Sequence, residues 1–293
     1  MTRHFLTGTE LERDELLALL DRADALKAAP LSSRALAGRS IALIFEKHST
    51  RTRLSFEAGI FELGGQPVVL RRDELHLARG ESVGDTARVL SRHMAAIGVR
   101  TGPDALLQEL ADAATVPVFN MLTAGHHPCQ ALADLMTLRA EFGRLEGLRV
   151  AYVGDGNNVA RSLALVGALA GVEVAVASPE GYTLTGAPGA LLTTDPAEAV
   201  AGAHAVYADV WVSMGDEDTA GERRAALAPY LLHDGLLDLA APGAIALHCL
   251  PAHPGEEITA EVLYGARQRI WQQAENRRHV QKALLERLVP PVR

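Results

Sequence analysis

The chain has 293 residues, a length that predicts two domains of roughly equal size. Hydrophobic residues make up 48% of it, so we expect a sizeable core, and the formal net charge of −8 argues against a nucleic-acid-binding surface. The first residues lack the apolar core of a signal peptide, and no apolar run reaches the ~20 residues that cross a bilayer. Cys129 and Cys249 form neither a disulfide framework nor a metal-binding pattern. We therefore expect a cytoplasmic protein with no membrane partner.

The first half of the chain alternates predicted helices and strands. The first helix is amphipathic, with Thr7 or Thr9 suited to cap it, and the second has an apolar pattern at Leu54, Ala58 and Phe61, with Ile60 beside it. Such alternation favours a mainly parallel sheet covered on both faces. The predicted elements are helices over 10–27, 54–63, 85–93 and 103–114, strands over 41–45, 68–70, 94–99 and 116–120, and a long polar loop over 71–84.

A long helix, from Pro128 or Cys129 to Phe142, leads into a second alternating half. We predict strands over 148–153, 172–177, 203–208 and 244–247, helices over 158–170 and 195–201, and an amphipathic terminal helix over 272–289. The fold class is therefore α/β, with two doubly wound parallel-sheet domains. We place the first domain at 1–138 and the second at 139–271, and expect the segment 272–293 to pack back on the first.

The segment Ser49-Thr50-Arg51-Thr52-Arg53 lies between a predicted buried strand and a predicted helix, with Ser49 or Thr50 as the N-cap. A helix N-terminus offers unpaired N–H groups and a partial positive charge. Two guanidinium groups and several hydroxyls are close by, and this combination suits a phosphate group. The alternative is an ordinary capped helix with solvated arginines.

The second half opens with a glycine-rich turn, Gly154-Asp155-Gly156-Asn157-Asn158, after a strand and before a helix. A nicotinamide-binding loop is disfavoured, because the pattern is Gly-x-Gly-x-x-Val and no acidic residue ends the next strand. Asn157 and Asn158 are candidates to present amide groups to a zwitterionic ligand at the carboxyl edge of the sheet. The alternative is that they only cap the helix.

Four further sites hold candidate functional residues. His127 and Gln130 lie three apart at the start of the long helix, where an imidazole and an amide can polarise a carbonyl group. Asp209 follows a predicted strand and is placed to hold a ligand ammonium group. Cys249 also follows a strand, with an inert buried thiol as its alternative role. For Arg277, the alternative is a solvated charge on the terminal helix.

Four motifs occur in the order and rough spacing of the carbamoyltransferases, which the chain resembles from its first helix to its last. They are Phe-x-Lys-x-Ser-Thr-Arg-Thr-Arg at 45–53, His-Pro-Cys-Gln at 127–130, Asp-Val-Trp-Val-Ser-Met-Gly at 209–215 and His-Cys-Leu-Pro at 248–251. Ser-Thr-Arg-Thr and His-Pro-x-Gln are shared with aspartate-specific members, whereas Ser213-Met214-Gly215 and the last motif are similar to those of ornithine-specific members.

The resemblance implies two domains, the first binding carbamoyl phosphate and the second L-ornithine, with the active site in the cleft between them. It implies no cofactor and no metal. It also implies a homotrimer, or a multiple of trimers, in which a loop near His76 is shared between subunits. Many relatives have glutamine where this chain has His76, so a phosphate contact from this residue would depend on pH.

The resemblance also assigns roles to individual residues. The implied carbamoyl-phosphate contacts are Ser49, Thr50, Arg51, Thr52, His76, Arg100, His127, Pro128, Cys129, Gln130, Cys249, Leu250 and Arg277. The implied ornithine contacts are Asn158, Asp209, Ser213 and Met214. The implied catalytic residues are Arg100, His127, Asp209 and Cys249.

The implied reaction is attack by the δ-amine of ornithine on the carbamoyl carbon, giving citrulline and phosphate. The alternatives are transfer to putrescine or an N-acylornithine, a non-catalytic protein that binds carbamoyl phosphate, and a nucleotide-dependent oxidoreductase. The sequence is compatible with either synthesis or breakdown of arginine, because the same chemistry runs in both directions.

Overall fold

The structure, a computed structural model, describes residues 3–47, 49–75, 80–213 and 217–289. The chain divides into two compact units, one of Met1–Leu132 with Glu275–Arg293 and the other of Ala133–Ala274. The sequence-based domain limits at 138 and 271 stay predictions. No helix among the described residues is long and apolar enough to cross a membrane.

The first unit contains a four-stranded parallel sheet in the order β2-β1-β3-β4. Its strands are β1 (Ser40–Phe45), β2 (Gln66–Arg71), β3 (Ala96–Arg100) and β4 (Val118–Leu122). The connecting helices are α1 (Arg13–Ala28), α2 (Thr50–Glu62), α3 (Val83–His93) and α4 (Asp104–Ala113). The parallel sheet predicted from the alternation is thus confirmed.

Two details of the first unit differ from the sequence-based expectation. Helix α1 is capped at Glu12, through a capping box with Glu15, and not at Thr7 or Thr9. Strand β4 begins two residues later than predicted. The N-terminal segment lies along the start of this strand: Phe5 pairs with Phe119 and donates its N–H to the Val118 carbonyl at 2.9 Å.

Helix α2 buries a different face from the one predicted. The side chains of Leu54 and Phe61 are 60% and 73% exposed, whereas Phe56 and Ile60 are fully buried. Gly59 belongs to the buried face, and a Cβ atom there would lie only 3.1 Å from Lys282 Cγ on the terminal helix. The packing of that terminal helix therefore decides which face of α2 is covered.

The second unit contains a five-stranded parallel sheet in the order β7-β6-β5-β8-β9. Helix α5 (Pro128–Phe142) precedes it, and helix α11 (Ile270–Leu288) closes the chain. The strands are β5 (Arg149–Val153), β6 (Glu173–Ala177), β7 (Leu191–Thr193), β8 (Ala205–Ala208) and β9 (Ile245–His248). The helices are α6 (Asn158–Leu169), α7 (Pro196–Val200), α8 (Ala220–Leu227), α9 (Asp234–Leu237) and α10 (Ala260–Tyr264).

The order of strands in each sheet creates one point where the chain reverses direction across the sheet. In the first unit it lies between β1 and β3, and in the second between β5 and β8. Parallel α/β sheets bind ligands outside the carboxyl ends of the strands at such points. Each unit therefore has one edge position at which functional side chains should collect.

Candidate active site

In the first unit, the Ser49 loop and Arg100 lie at the same edge of the sheet. Phe45, the last residue of β1, is paired with Arg100, the last residue of β3, and Glu46 N–H donates to the Arg100 carbonyl at 2.9 Å. Arg100 is only 8% exposed. The adjacent parallel strands thus bring together two sequence motifs that are about 50 residues apart.

Ser49 is the N-cap of α2, which confirms the first of the two predicted candidates, Ser49 and Thr50. Its Oγ accepts the Thr52 N–H at 3.3 Å, and its backbone is extended. The positive end of the helix dipole therefore lies at Ser49 and Thr50, with Arg51 in the first turn. This local geometry is that of an anion-binding helix end.

Arg277 is part of the same unit and is not a solvated helix charge. Its side chain is almost fully buried at 3% exposure, and its Nη2 donates to Thr52 Oγ1 at 2.7 Å. Thr52 itself is completely buried. The alternative interpretation of Arg277 is therefore wrong, because α11 places this guanidinium group beside the first turn of α2.

His127 lies at the N-terminal end of α5 and is 4% exposed. Burial, and then the positive charges of Arg277, Arg100 and Arg51, hold its pKa well below the usual value. The imidazole is therefore neutral at physiological pH. The positive charges of three guanidinium groups thus act on one histidine, in a chain whose net charge is −8.

The other members of the His-Pro-Cys-Gln motif are buried as well. The Cys129 thiol donates to the Asn120 carbonyl at 3.3 Å, and burial raises its pKa to about 12. This thiol is therefore held in the core in its neutral form. Gln130 is 1% exposed, and its backbone N–H donates to the His127 carbonyl at 3.0 Å, which fixes the first turn of α5.

A cavity of about 740 Å³ opens on the first unit next to the N-terminus of α2. Four of its lining side chains are cationic: Lys47, Arg53, Arg71 and Arg72. The other lining residues are Phe45, Glu46, Ser49, Thr50, Leu54, Val69 and Asp73. The cavity therefore extends the basic character of the helix end outward along the surface.

In the second unit, Asp209 and Cys249 meet at the carboxyl edge of the sheet. Ala208 and His248 end the adjacent strands β8 and β9 and are paired in register, so the next residue of each strand lies at the same edge. Cys249 Sγ donates to Asp209 Oδ1 at 2.9 Å, and the aspartate is 7% exposed. Asp209, predicted to hold a ligand ammonium group, and Cys249, an implied catalytic residue, thus form one pair.

His248 holds the turn that carries Cys249 and Leu250. The Leu250 N–H donates to His248 Nδ1 at 2.8 Å, so Nε2 carries the ring proton and donates to Glu257 Oε1 at 3.1 Å. This contact supports Leu250 in a left-handed conformation with φ of 61°, which is strained for a residue with a Cβ atom. Glu257 is not predictable from the sequence, because nothing in its local pattern distinguishes it from the neighbouring Glu256.

The remaining predicted residues have different outcomes. Asn158 is the first residue of α6, whereas Asn157 is its N-cap, accepting the Val159 N–H at 2.9 Å. Ser213 follows β8 and is half-buried. His76 and Met214 lie outside the described residues.

Two groups of metal-ligating side chains occur in the described part of the chain. Their ligand atoms lie within 4.8 Å of one another; the groups are Asp209 with His248 and Cys249, and His253 with Glu256 and Glu257. Several of these side chains already have partners: Cys249 donates to Asp209, His248 donates to Glu257, and Glu256 forms an ion pair with Arg224. Their donor chemistry is compatible with a divalent cation.

Comparison with known proteins matches both units. The family model described as "Aspartate/ornithine carbamoyltransferase, carbamoyl-P binding domain" matches residues 3–140, and its "Asp/Orn binding domain" counterpart matches residues 146–288. The chain is 52% identical to the ornithine carbamoyltransferase of Acidothermus cellulolyticus, over 99% of this chain and 97% of the relative. It is 51% identical to that of Parafrankia sp., over 98% and 96%.

Solved structures give the same result. The ornithine carbamoyltransferase from Pyrococcus furiosus superimposes with a TM-score of 0.92 at 43% identity, over 97% of this chain and 96% of that chain. The enzyme from Thermus thermophilus also gives 0.92, at 42% identity, over 99% and 100%.

Proposed function

This chain belongs to the aspartate/ornithine carbamoyltransferase family, and we propose that it transfers the carbamoyl group of carbamoyl phosphate to the δ-amine of L-ornithine. The products are L-citrulline and phosphate. The observation that carries the proposal is the cluster of Arg51, Arg100 and Arg277 around a neutral His127, next to the N-terminus of α2. A dianionic acyl phosphate, with its polarisable carbonyl group, matches this cluster.

The first unit would bind carbamoyl phosphate. The phosphate would be bound by the N-terminus of α2, at Ser49 and Thr50, and by the guanidinium group of Arg51. The buried residues Thr52 and Arg100 would provide further contacts deeper in the site. The neutral imidazole of His127 can donate to the carbonyl oxygen without adding a further charge. Gln130 and Arg277 are suited to the carbamoyl nitrogen and oxygen. For Pro128 and Cys129, whose side chains are buried, any contact would come from the backbone.

The second unit would bind ornithine. Asp209 supplies the negative charge that holds the α-ammonium group, and Asn158, Ser213 and Met214 complete the assigned contacts. Cys249 lies beside Asp209 at 2.9 Å, so a ligand held by the aspartate is also near the thiol. Leu250, assigned a contact with carbamoyl phosphate, would make it from the strained turn that follows Cys249. The pH-dependent phosphate contact of His76 stays a prediction from the sequence.

The chemistry requires a neutral amine. The δ-amine has a pKa of about 10, like lysine, and a water-poor environment favours its uncharged form. Its nitrogen attacks the carbamoyl carbon, giving a tetrahedral oxyanion that Thr52, Arg100 and His127 would stabilise. The carbon–oxygen bond to phosphate then breaks, the amine loses its proton, and phosphate leaves with its charge held near Arg51. This route needs no covalent enzyme intermediate.

The test is an assay of citrulline formation from carbamoyl phosphate and L-ornithine, run in both directions. Putrescine and N-acetylornithine serve as competing acceptors, because they lack the α-carboxylate and the free α-ammonium group, respectively. We expect citrulline to form with a kcat/KM at least 100-fold above either alternative. Binding of carbamoyl phosphate without turnover would instead support a non-catalytic protein, and preference for putrescine would reassign the acceptor.

We further propose that the chain works as a homotrimer, or a multiple of one, in the cytoplasm. Leu54 and Phe61 are mostly exposed on α2, and Leu54 also lines the cavity of the first unit, so a neighbouring subunit would remove apolar surface from water there. Cys129 and Cys249 form no disulfide bond in the described part of the chain, which is compatible with a reducing compartment. Light scattering after size exclusion tests the assembly, and Phe61→Glu should shift it toward monomer.

A further inference from the structure

The side-chain amide of Asn157 has only one possible orientation. Its Oδ1 accepts the Val159 N–H at 2.9 Å and the Ala160 N–H at 3.2 Å. A backbone N–H can only donate, so the atom facing these two groups must be the oxygen. The amide nitrogen therefore faces Asp209, and Nδ2 donates to Asp209 Oδ2 at 2.8 Å.

Tyr152 adds a third hydrogen bond to the same amide oxygen. Its hydroxyl lies 3.0 Å from Asn157 Oδ1, and the side chain is fully buried. Burial, together with the negative charge of Asp209 and neighbouring groups, holds the pKa of Tyr152 well above its usual value. The hydroxyl therefore keeps its proton and donates to the amide oxygen.

Among the described residues, each oxygen of Asp209 accepts a hydrogen bond from one donor. Asn157 donates to Oδ2, and Cys249 donates to Oδ1 at 2.9 Å. A carboxylate has about four acceptor positions, so both oxygens can still accept a hydrogen bond from a ligand ammonium group. The carboxylate is thereby oriented before the ligand arrives.

From this geometry we propose that Asn157 is a positioning residue for the acceptor amino acid, acting through Asp209. It is a separate role from that of Asn158, to which the motif resemblance assigned the ornithine contact. The inference rests on the proposed function, because it takes ornithine as the ligand of Asp209. Asn157 joins the helix end of α6 to the carboxylate that follows β8, so the N-cap and the amine site share one side chain.

Two substitutions separate this role from simple helix capping. Asn157→Ser and Asn157→Asp both keep a side-chain oxygen that can cap α6. Serine leaves Asp209 Oδ2 without its charge-assisted donor, and we expect KM for ornithine to rise about 10- to 100-fold. Aspartate places a second carboxylate within hydrogen-bonding distance of the first. The two then share a proton, so KM for ornithine should gain a titration step absent from the parent and from the serine variant.

The matched control is Tyr152→Phe, which removes a hydrogen bond to the same amide on the side away from Asp209. The two backbone N–H groups still hold Asn157 Oδ1, so KM for ornithine should stay within about threefold. KM for carbamoyl phosphate should also stay within about threefold in all three variants. Ornithine affinity by calorimetry gives a second readout that does not depend on turnover.

The outcomes distinguish the two proposals. If the parent binds ornithine but forms no citrulline, the proposed reaction is wrong, and the affinities of the variants still decide the role of Asn157. If the parent forms citrulline and Asn157→Ser binds ornithine as tightly as the parent, the positioning role is wrong. Equal losses for ornithine and carbamoyl phosphate would also contradict it, because they indicate a general defect of folding. A parent that neither binds ornithine nor forms citrulline overturns both.

Discussion

The hydrogen bond between Arg277 and Thr52 joins residues 225 positions apart, and it gives the most direct test of the first unit. Arg277 Nη2 donates to Thr52 Oγ1 at 2.7 Å, with both side chains nearly or fully buried. A hydrogen bond to a charged group contributes about 1.5–3 kcal/mol. Thr52→Val keeps the volume of the side chain and removes only the acceptor, whereas Arg277→Met keeps much of the apolar stem.

We expect a double-mutant cycle of these two substitutions to give a coupling free energy of about 1.5–3 kcal/mol in unfolding of the first unit. The control is Thr86→Val in the same unit. Its buried hydroxyl has no hydrogen-bond partner among the described residues, so its removal should leave stability unchanged or raise it.

The assay must report on the correct unit. Both tryptophans, Trp211 and Trp271, lie in the second unit, so their fluorescence does not follow the first. Hydrogen exchange of the α2 amides in increasing denaturant is the suitable measurement. Coupling below about 0.5 kcal/mol would refute the reasoning, as would a Thr86→Val variant destabilised as much as Thr52→Val.

Three further predictions concern the same unit. Arg51→Ala should lower kcat about 100- to 1,000-fold with an unchanged circular dichroism spectrum, and activity within threefold of the parent would exclude its phosphate contact. His127 has a lowered pKa, so the folded state takes up its proton less readily than the unfolded state. Stability should therefore fall as pH drops below about 6.5, and His127→Gln should reduce that fall in urea midpoints measured from pH 7 to pH 5. Glu62→Gln removes the carboxylate that accepts from the buried Lys282 Nζ at 2.6 Å, and should cost about 3–5 kcal/mol by the same exchange assay; a loss below 1 kcal/mol would contradict this.

Local patterns were sufficient for the elements that carry the site. The apolar run before Ser49 predicted β1, and the hydroxyl residue at its end predicted the helix cap, because capping is satisfied within three residues. The carboxyl-edge position of Asp209 followed from the same kind of reasoning. Parallel strand order then brings Asp209 to Cys249, which the sequence could suggest only through the family resemblance.

Features that depend on distant packing were not predictable in this way. The apolar residues of α2 indicated a face containing Leu54 and Phe61, but α11 packs on the face containing Gly59. From its local sequence, Arg277 is not distinguishable from other charged residues on an amphipathic helix. Nothing near it in sequence shows that Thr52 will accept a hydrogen bond from its guanidinium group. Strand β7 was not predicted, because it is a three-residue edge strand whose Leu191 and Leu192 are both half-exposed, so its sequence has no alternation of apolar and polar residues.

The charges on the two units bear on the pH dependence of the proposed reaction. Arginine does not lose its proton in the working range, and the neutral state of His127 is maintained by burial and by the arginines themselves. The arginines and His127 of the first unit therefore keep a constant charge where an ordinary histidine would titrate. The acceptor amine, with a pKa near 10, is the group whose protonation must change before attack. Apart from the contact predicted for His76, the rise of activity with pH should accordingly originate in the amine of ornithine bound at Asp209 and Cys249, and not in Arg51, Arg100, His127 or Arg277.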